Sequence, residues 1–236
     1  MSKQMKSKQR VAEHGEVFTA EREVKAMYDL VSQECDRIDS RFLEPACGNG
    51  NFLTEIITRK LATVKRLYKR NPYDYERYSV VAVSSIYGVD IMQDNTEECR
   101  KRLYKIWNKE YTLVCKKQCN DETRKSVEYI LSKNILCGNA LTLMCVDENQ
   151  QDTSIPIIFP EWSLMLGTKL KRRDFRLDVM LKAGEKPKNV KQQSMFNRQD
   201  EINQYLSQNP VTGEYMAEPI CEYPPINYRR IWENGG

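Results

Sequence analysis

The segment from Arg41 to Val64 constrains the fold more than any other part of the chain. A short apolar run, Arg41-Phe42-Leu43-Glu44-Pro45-Ala46, closes on Cys47-Gly48-Asn49-Gly50-Asn51, after which Phe52, Leu53, Ile56, Ile57, Leu61 and Val64 follow at helical spacing. The pattern predicts a strand, a glycine turn and a helix. Gly48 and Gly50 allow the backbone to turn tightly or to approach something closely, and a ligand can sit at the helix N-terminus just behind them. Two glycines alone remain a weak signal, because any strand-to-helix turn can use them.

The same alternation recurs downstream. A second apolar run, Val80-Val81-Ala82-Val83 through Ile86-Tyr87-Gly88-Val89, ends at Asp90 and precedes a helix with Leu103, Ile106 and Trp107 on one side. A third, Asn134 to Gly138, ends at Asn139, and a fourth, Ile155 to Phe159, is broken by Pro156 and so belongs at a sheet edge or in a hairpin. Strands alternating with helices predict an α/β fold built from parallel βαβ units, with both faces of the sheet covered. Three successive strand ends then present Glu44 with the glycine turn, Asp90 and Asn139, on the side where doubly wound sheets bind ligands. An acidic residue ending the second strand suits ribose hydroxyls, but it usually lies about 20 residues past the glycines. Here the gap is forty, and the excess is the basic, tyrosine-rich stretch 65–79.

Thr19 is a plausible N-cap for an amphipathic helix over 20–36, with Glu21 and Glu23 in its first turn and Val24, Met27, Tyr28 and Val31 on one face. From Gly184 onward Pro, Gln, Asn and Lys dominate, which predicts an extended tail with a helix around 192–207 and irregular chain after Asn209. The expected division is a basic arm 1–12, an α/β domain 13–183 and a C-terminal extension or arm 184–236. Charged residues make up 30% and mean hydropathy is −0.67, polar but short of a disordered composition. No apolar stretch is long enough to span a bilayer, and the basic start has no apolar run behind it, so a cytoplasmic protein is expected.

Of the eight cysteines only Cys115 and Cys119 are close in sequence, half a zinc site at best, and His14 is the single histidine, so no metal is expected. The net charge of +4 is unevenly spread: nine Lys or Arg stand between Lys169 and Lys191 against Asp174, Asp178 and Glu185. Lys169, Lys171, Arg172 and Arg173 are the candidate phosphate contacts in that stretch; a solvated helix face followed by a charged loop is the competing reading.

Four segments in order, G-E-V-F-T (Gly15 to Thr19), L-E-P-A-C-G-N-G-N-F (Leu43 to Phe52), Y-G-V-D-I (Tyr87 to Ile91) and C-G-N-A-L (Cys137 to Leu141), resemble the cofactor-binding motifs of adenine-specific DNA methyltransferases, among them modification subunits of restriction-modification systems. The resemblance covers residues 13 to about 143. It implies a Rossmann-like S-adenosylmethionine-dependent methyltransferase fold, with an N-terminal helix and a C-terminal arm, that acts on adenine N6 in double-stranded DNA. It also implies that Phe18, Thr19, Glu44, Ala46, Gly48 and Gly50 hold the methionine end of the cofactor, that Asp90 takes the ribose and that Ile91 packs on adenine. The third-strand position, usually Asp in that family, is Asn139, whose amide offers both donor and acceptor to an adenine edge.

The family's catalytic loop, Asp or Asn followed by two prolines and an aromatic residue, is missing. Asn71-Pro72-Tyr73-Asp74 lacks the second proline and falls between the first and second strands; Tyr223-Pro224-Pro225-Ile226 lacks the polar and aromatic residues and lies in the tail. Phe159-Pro160-Glu161-Trp162 holds the right sequence position, which makes Glu161 and Trp162 the catalytic candidates, against a structural turn with Trp162 in the core. Three functions stay open: a methyltransferase, alone or with a restriction-modification partner or complementing C-terminal half; a truncated module that binds cofactor, DNA or partner without chemistry; and an unrelated nucleotide-binding Rossmann protein. His14 and the aromatics Trp107 and Trp232 carry no catalytic expectation.

Overall fold

The computed structural model describes residues 21–29, 32–183 and 198–234. The chain enters through α1 (Glu21–Asp29) and α2 (Ser32–Cys35), falling within the single helix expected over 20–36, and then forms β1 (Phe42–Glu44). What brings the chain into β1 is a buried lysine: Lys60 Nζ donates to the carbonyls of Arg37 (3.2 Å), Ile38 (2.9 Å) and Ser40 (2.6 Å). After the glycine turn come α3 (Asn51–Tyr68), α4 (Pro72–Ser84), β2 (Ile86–Asp90), α5 (Gln93–Cys115), α6 (Asp121–Asn134) and β3 (Ile135–Asn139). β4 (Met144–Val146) and β5 (Asp152–Pro156) complete a five-stranded sheet in the order β1-β2-β3-β4-β5. The first three strands are parallel, with Glu44 opposite Gly88 and Asp90 opposite Cys137. β4 and β5 are antiparallel, because the few residues between Asn139 and Met144 are too few for a crossover. The architecture is therefore α/β, a mixed sheet flanked by helices, with the Pro156 strand at its edge.

The second expected strand is divided: Ile86–Asp90 forms β2 as expected, but its first half is helix. Val80 to Val83 belong to α4, not to β2. Asn71 caps α4 by accepting from the N–H of Tyr73 (3.2 Å) and Asp74 (3.4 Å), and Pro72 occupies the first turn, so the near-match at Asn71–Asp74 is a helix start. Tyr75, Ser79, Val80 and Val83 then fall on one buried face. A short β-branched run reads as a strand in isolation, and only the cap and the length of the buried stripe separate the two. Helix α4 also accounts for much of the forty residues between the glycines and Asp90. It is locked to α5 by Trp107, whose Nε1 donates to Ser79 Oγ (3.0 Å) while its ring stacks on Tyr111.

The alternating residues of β2 face different layers. Gly88 faces Cys47 and Leu53 of the turn and α3. Tyr87 faces a second sheet, donating its hydroxyl to Pro160 O (2.8 Å) with its ring edge against Phe159. That second sheet is the hairpin β6 (Ile158–Leu164) and β7 (Lys169–Arg176), which is followed by α7 (Leu177–Met180). Beyond the undescribed residues come α8 (Arg198–Asn203) and the hairpin β8 (Leu206–Gln208) with β9 (Tyr215–Ala217).

The last described segment is not the irregular chain that its composition suggests. β10 (Cys221–Glu222) and β11 (Ile226–Asn227) pair with the second edge of β7, and a 3₁₀ turn over Tyr228–Glu233 buries Tyr228 and Ile231 in the core. A carboxylate fixes this segment. Glu76 of α4, itself buried, accepts from the hydroxyls of Tyr111 and Tyr228 (the latter at 2.5 Å) and from Arg229 Nε (2.6 Å). Among the described residues no helix is long and apolar enough to cross a membrane.

Glu76→Ala strips one acceptor from three donors. Because Arg229 keeps some solvent contact, the expected loss is about 3 kcal/mol, near the lower end for breaking a buried charged pair. Urea unfolding should show it as a lower midpoint; an unchanged midpoint would mean that the C-terminal segment does not lean on Glu76.

Candidate functional site

The glycine turn is built by its backbone and by one carboxylate. Gly48 (φ 52°) and Gly50 (φ 88°) both occupy the left-handed region, and Gly50 is the residue from which α3 starts. The Cys47 N–H donates to Val89 O (2.9 Å), fastening the turn to the end of β2. The Gly48 N–H donates to Asp90 Oδ2 (2.9 Å), while Asp90 Oδ1 accepts from the Met92 N–H (2.9 Å) and from Asn95 Nδ2 (3.1 Å). One side chain thus joins the turn after β1, the end of β2 and the start of α5. From α5, Arg102 Nη1 reaches back to Asn49 O (2.7 Å) and Asn51 Oδ1 (2.9 Å).

The space behind the turn is filled by two thiols. A Cβ on Gly50 would lie 2.6 Å from Cys99 Sγ, and one on Gly88 would lie 3.0 Å from Cys47 Sγ. The hydrogen bond with Cys99, together with burial, pushes the Cys47 thiol far above the ordinary thiol range. On β3, burial and then the Asp90 charge raise the Cys137 thiol to about 11. Burial also raises the Glu44 carboxyl, an effect partly offset by the Ala46 N–H. These thiols are packing groups at neutral pH, not nucleophiles. Among the described residues one acceptor at the turn has no partner: Asn49 Oδ1 is buried without a hydrogen bond.

Glu44, Ala46, Gly48, Gly50 and Asp90 therefore meet at the C-terminal ends of two neighbouring parallel strands. Ile91 follows directly and accepts the Cys137 thiol on its carbonyl (3.4 Å). At the end of β3, Asn139 Oδ1 accepts from the N–H groups of Leu141 (3.0 Å) and Thr142 (3.4 Å), and Nδ2 donates to Asp152 Oδ1 (3.0 Å). Phe18 and Thr19, expected to close the methionine end, lie outside the described residues, as does His14. Asn49, Cys99, Arg102 and Asp152 are the site residues that sequence reasoning missed. Asn49 lies inside the motif itself; the other three come from elements whose approach no spacing rule announces.

The catalytic and DNA-binding candidates sit elsewhere. Phe159 to Trp162 was expected as a loop at a strand end, but it is the interior of β6, paired residue for residue with β7. Glu161 is held between the guanidinium groups of Arg41 and Arg173. Trp162 is 7% exposed and donates Nε1 to Asn134 Oδ1 (2.8 Å), so its ring is core packing rather than a free stacking surface. The basic run 169–176 is strand β7, not a helix face. Arg172, 4% exposed, forms a two-pronged pair with Asp174 (2.7 and 2.6 Å), and Lys171 pairs with Glu222 (2.7 Å). Lys169 is exposed. A cavity of about 280 Å³ lies at the start of α4, where Asp74, Arg77 and Arg229 help to line it and none of the turn residues does. Among the described residues no group of three or more His, Cys, Asp or Glu is placed to hold a metal ion.

Gly50→Ala meets both a positive φ and the Cys99 sulfur, and is expected to cost about 2–4 kcal/mol. In the Cys99→Ala background the steric part disappears and the substitution should cost only the backbone strain. Equal costs in both backgrounds, measured by denaturant unfolding, would show that the sulfur does not press on the turn.

No protein-family model matches the chain, and no solved structure matches it. A curated protein of Methanocaldococcus jannaschii, provisionally named a type II restriction enzyme and methyltransferase, is 32% identical over 128 residues. The match takes in 52% of this chain and 10% of that protein, so the chain spans about a tenth of its relative's length. This is a distant link to a protein of the restriction and modification type.

Proposed function

We propose that the chain is the S-adenosylmethionine-binding part of a DNA adenine-N6 methyltransferase of a restriction-modification system, with residues 13–183 as the cofactor domain and a partner or complementing half supplying the catalytic loop. The observation that carries this reading is the Gly48–Asp90 contact, which puts a glycine turn and an acidic strand end side by side where parallel sheets bind nucleotides. The relative's provisional name agrees with it.

The residues present suit such a cofactor. When bound, S-adenosylmethionine supplies a methyl group on a sulfonium, ready for transfer to a neutral amine. Gly48 and Gly50 keep side chains out of the turn, so that backbone can approach the amino-acid end. The orphan Asn49 Oδ1 is an acceptor in want of a donor, which an α-ammonium would provide. Asp90 has accepting capacity left beyond its three bonds, enough for a ribose hydroxyl. Methyl transfer needs alignment rather than acid–base power, so a chain that only holds and orients the donor contributes much of the rate. Glu161 and Trp162 are committed to ion pairs and packing, and this favours a module that is not catalytic by itself. In this reading the target is double-stranded DNA in the cytoplasm, and Lys169 is the strand cation most available to a phosphate.

Calorimetric titration of the chain with S-adenosylmethionine and S-adenosylhomocysteine tests the proposal. Both should bind at one site, and Asp90→Asn should weaken binding by about tenfold or more through the loss of a charged acceptor. Thermal melting of the same variant separates that loss from damage to the turn. Absence of binding, or retention of NAD in place of either compound, would overturn the assignment.

A further inference from the structure

At the end of β3, Asn139 is joined to Asp152 of β5 by a side-chain hydrogen bond, and the two divide the donors and acceptors there between them. Asn139 has little left to offer as an acceptor. Its Oδ1 takes the N–H groups of Leu141 and Thr142, which shapes the turn into β4, and one Nδ2 hydrogen goes to Asp152. The chain folds tightly there: Leu143 has φ 62°, and its N–H donates to Asn139 O (2.7 Å), so the amide cannot turn away without undoing the turn. Asp152 differs. It opens β5 beyond the five residues that follow β4 and is exposed; among the described residues its one hydrogen bond is from the Asn139 amide to Oδ1, so that Oδ2 remains an open acceptor. Carried by the β4–β5 hairpin, the carboxylate reaches the side chain that ends β3, thirteen residues earlier in the chain. Ile91, at the end of the adjoining strand, lies against β3 through Cys137.

We propose that Asp152 is the residue that recognises the adenine of the cofactor, accepting its exocyclic amine, while Asn139 is a positioning residue that holds the carboxylate in place. This rests on the cofactor reading above. An exocyclic amine is a donor and requires an acceptor; the open Asp152 oxygen is one, and Asn139 Oδ1 is already filled. The second Nδ2 hydrogen of Asn139 is a donor beside that acceptor, so the pair matches an edge with an amine next to a ring nitrogen. A base with a carbonyl in place of the amine would set oxygen against carboxylate and be rejected.

The test compares S-adenosylhomocysteine with S-inosylhomocysteine, which differs only at that edge, by calorimetric titration of the full chain. The native chain should prefer the adenosyl compound by at least about tenfold, as expected for a hydrogen bond to a charged group. Asp152→Ala and Asp152→Asn should bring the ratio close to one, mainly by weakening the adenosyl compound, with melting temperatures unchanged because Asp152 is exposed. A full preference retained in Asp152→Ala would overturn the assignment of Asp152 while leaving the cofactor site standing. Failure of the native chain to bind either compound would overturn the cofactor reading, and this inference with it.

Discussion

The carboxylate of Asp90 holds the business end of the sheet together. Parallel strands end without a hairpin to tie them to one another, so the loops that follow β1 and β2 need some other fastening. Asp90 supplies it by accepting from the turn after β1, from the backbone after β2 and from a side chain in the first turn of α5. Bonds to an ionised acceptor are stronger than neutral ones, and three converge on one group. The turn's shape, the start of α5 and the depth at which Cys47 and Cys99 pack behind Gly50 all follow from where that carboxylate sits. The carboxylate proposed above for the ribose is therefore already a structural one, held in place before any ligand arrives.

Charged groups taken out of water settle the other half of the molecule. Glu76, Arg172 with Asp174, Arg176 with Asp178, and Lys60 on its three carbonyls are all buried and all partnered. A buried charge without a partner is costly, so each pair restricts how its elements can pack. Glu76 dictates that the C-terminal segment lies over α4 and α5. Arg172 reaches Tyr129 of α6 and Asn234 O as well as Asp174, which fixes β7 against α6 and the chain's last described turn. Within the described part of the basic stretch, Arg172 and Arg176 are buried in ion pairs and Lys171 and Arg173 are paired, whereas Lys169 is exposed.

The polar residues at the strand ends divide into those that shape loops and those left open. Asn139 shapes a loop; Asp152 and the orphan oxygen of Asn49 are left open. Asn49 lies in the turn after β1 and Asp152 opens β5, the two edge strands of the first sheet, while Glu161 and Trp162 are packed within β6.

The sequence by itself determined the α/β class, the position of the glycine turn, and Asp90 and Asn139 as strand ends, because these depend on local hydrophobic periodicity and on glycines that only a left-handed backbone requires. It also placed Pro156 at a sheet edge, since a residue without an N–H cannot serve a central ladder. Only the tertiary structure decided that Val80–Val83 coil as α4, because a short β-branched run satisfies either period until a cap and a buried stripe choose between them. The same is true of β10 and β11, whose two-residue strands have no pattern of their own and exist only where β7 offers an edge. Glu161 and Trp162 were legible by type and position, but their partners Arg41, Arg173 and Asn134 come from other elements, and Arg172 pairs with Asp174 two residues along its own strand. Asp152 was invisible for the opposite reason: an ordinary acid after a turn, it acquires meaning only when the β4–β5 hairpin lays it against the end of β3.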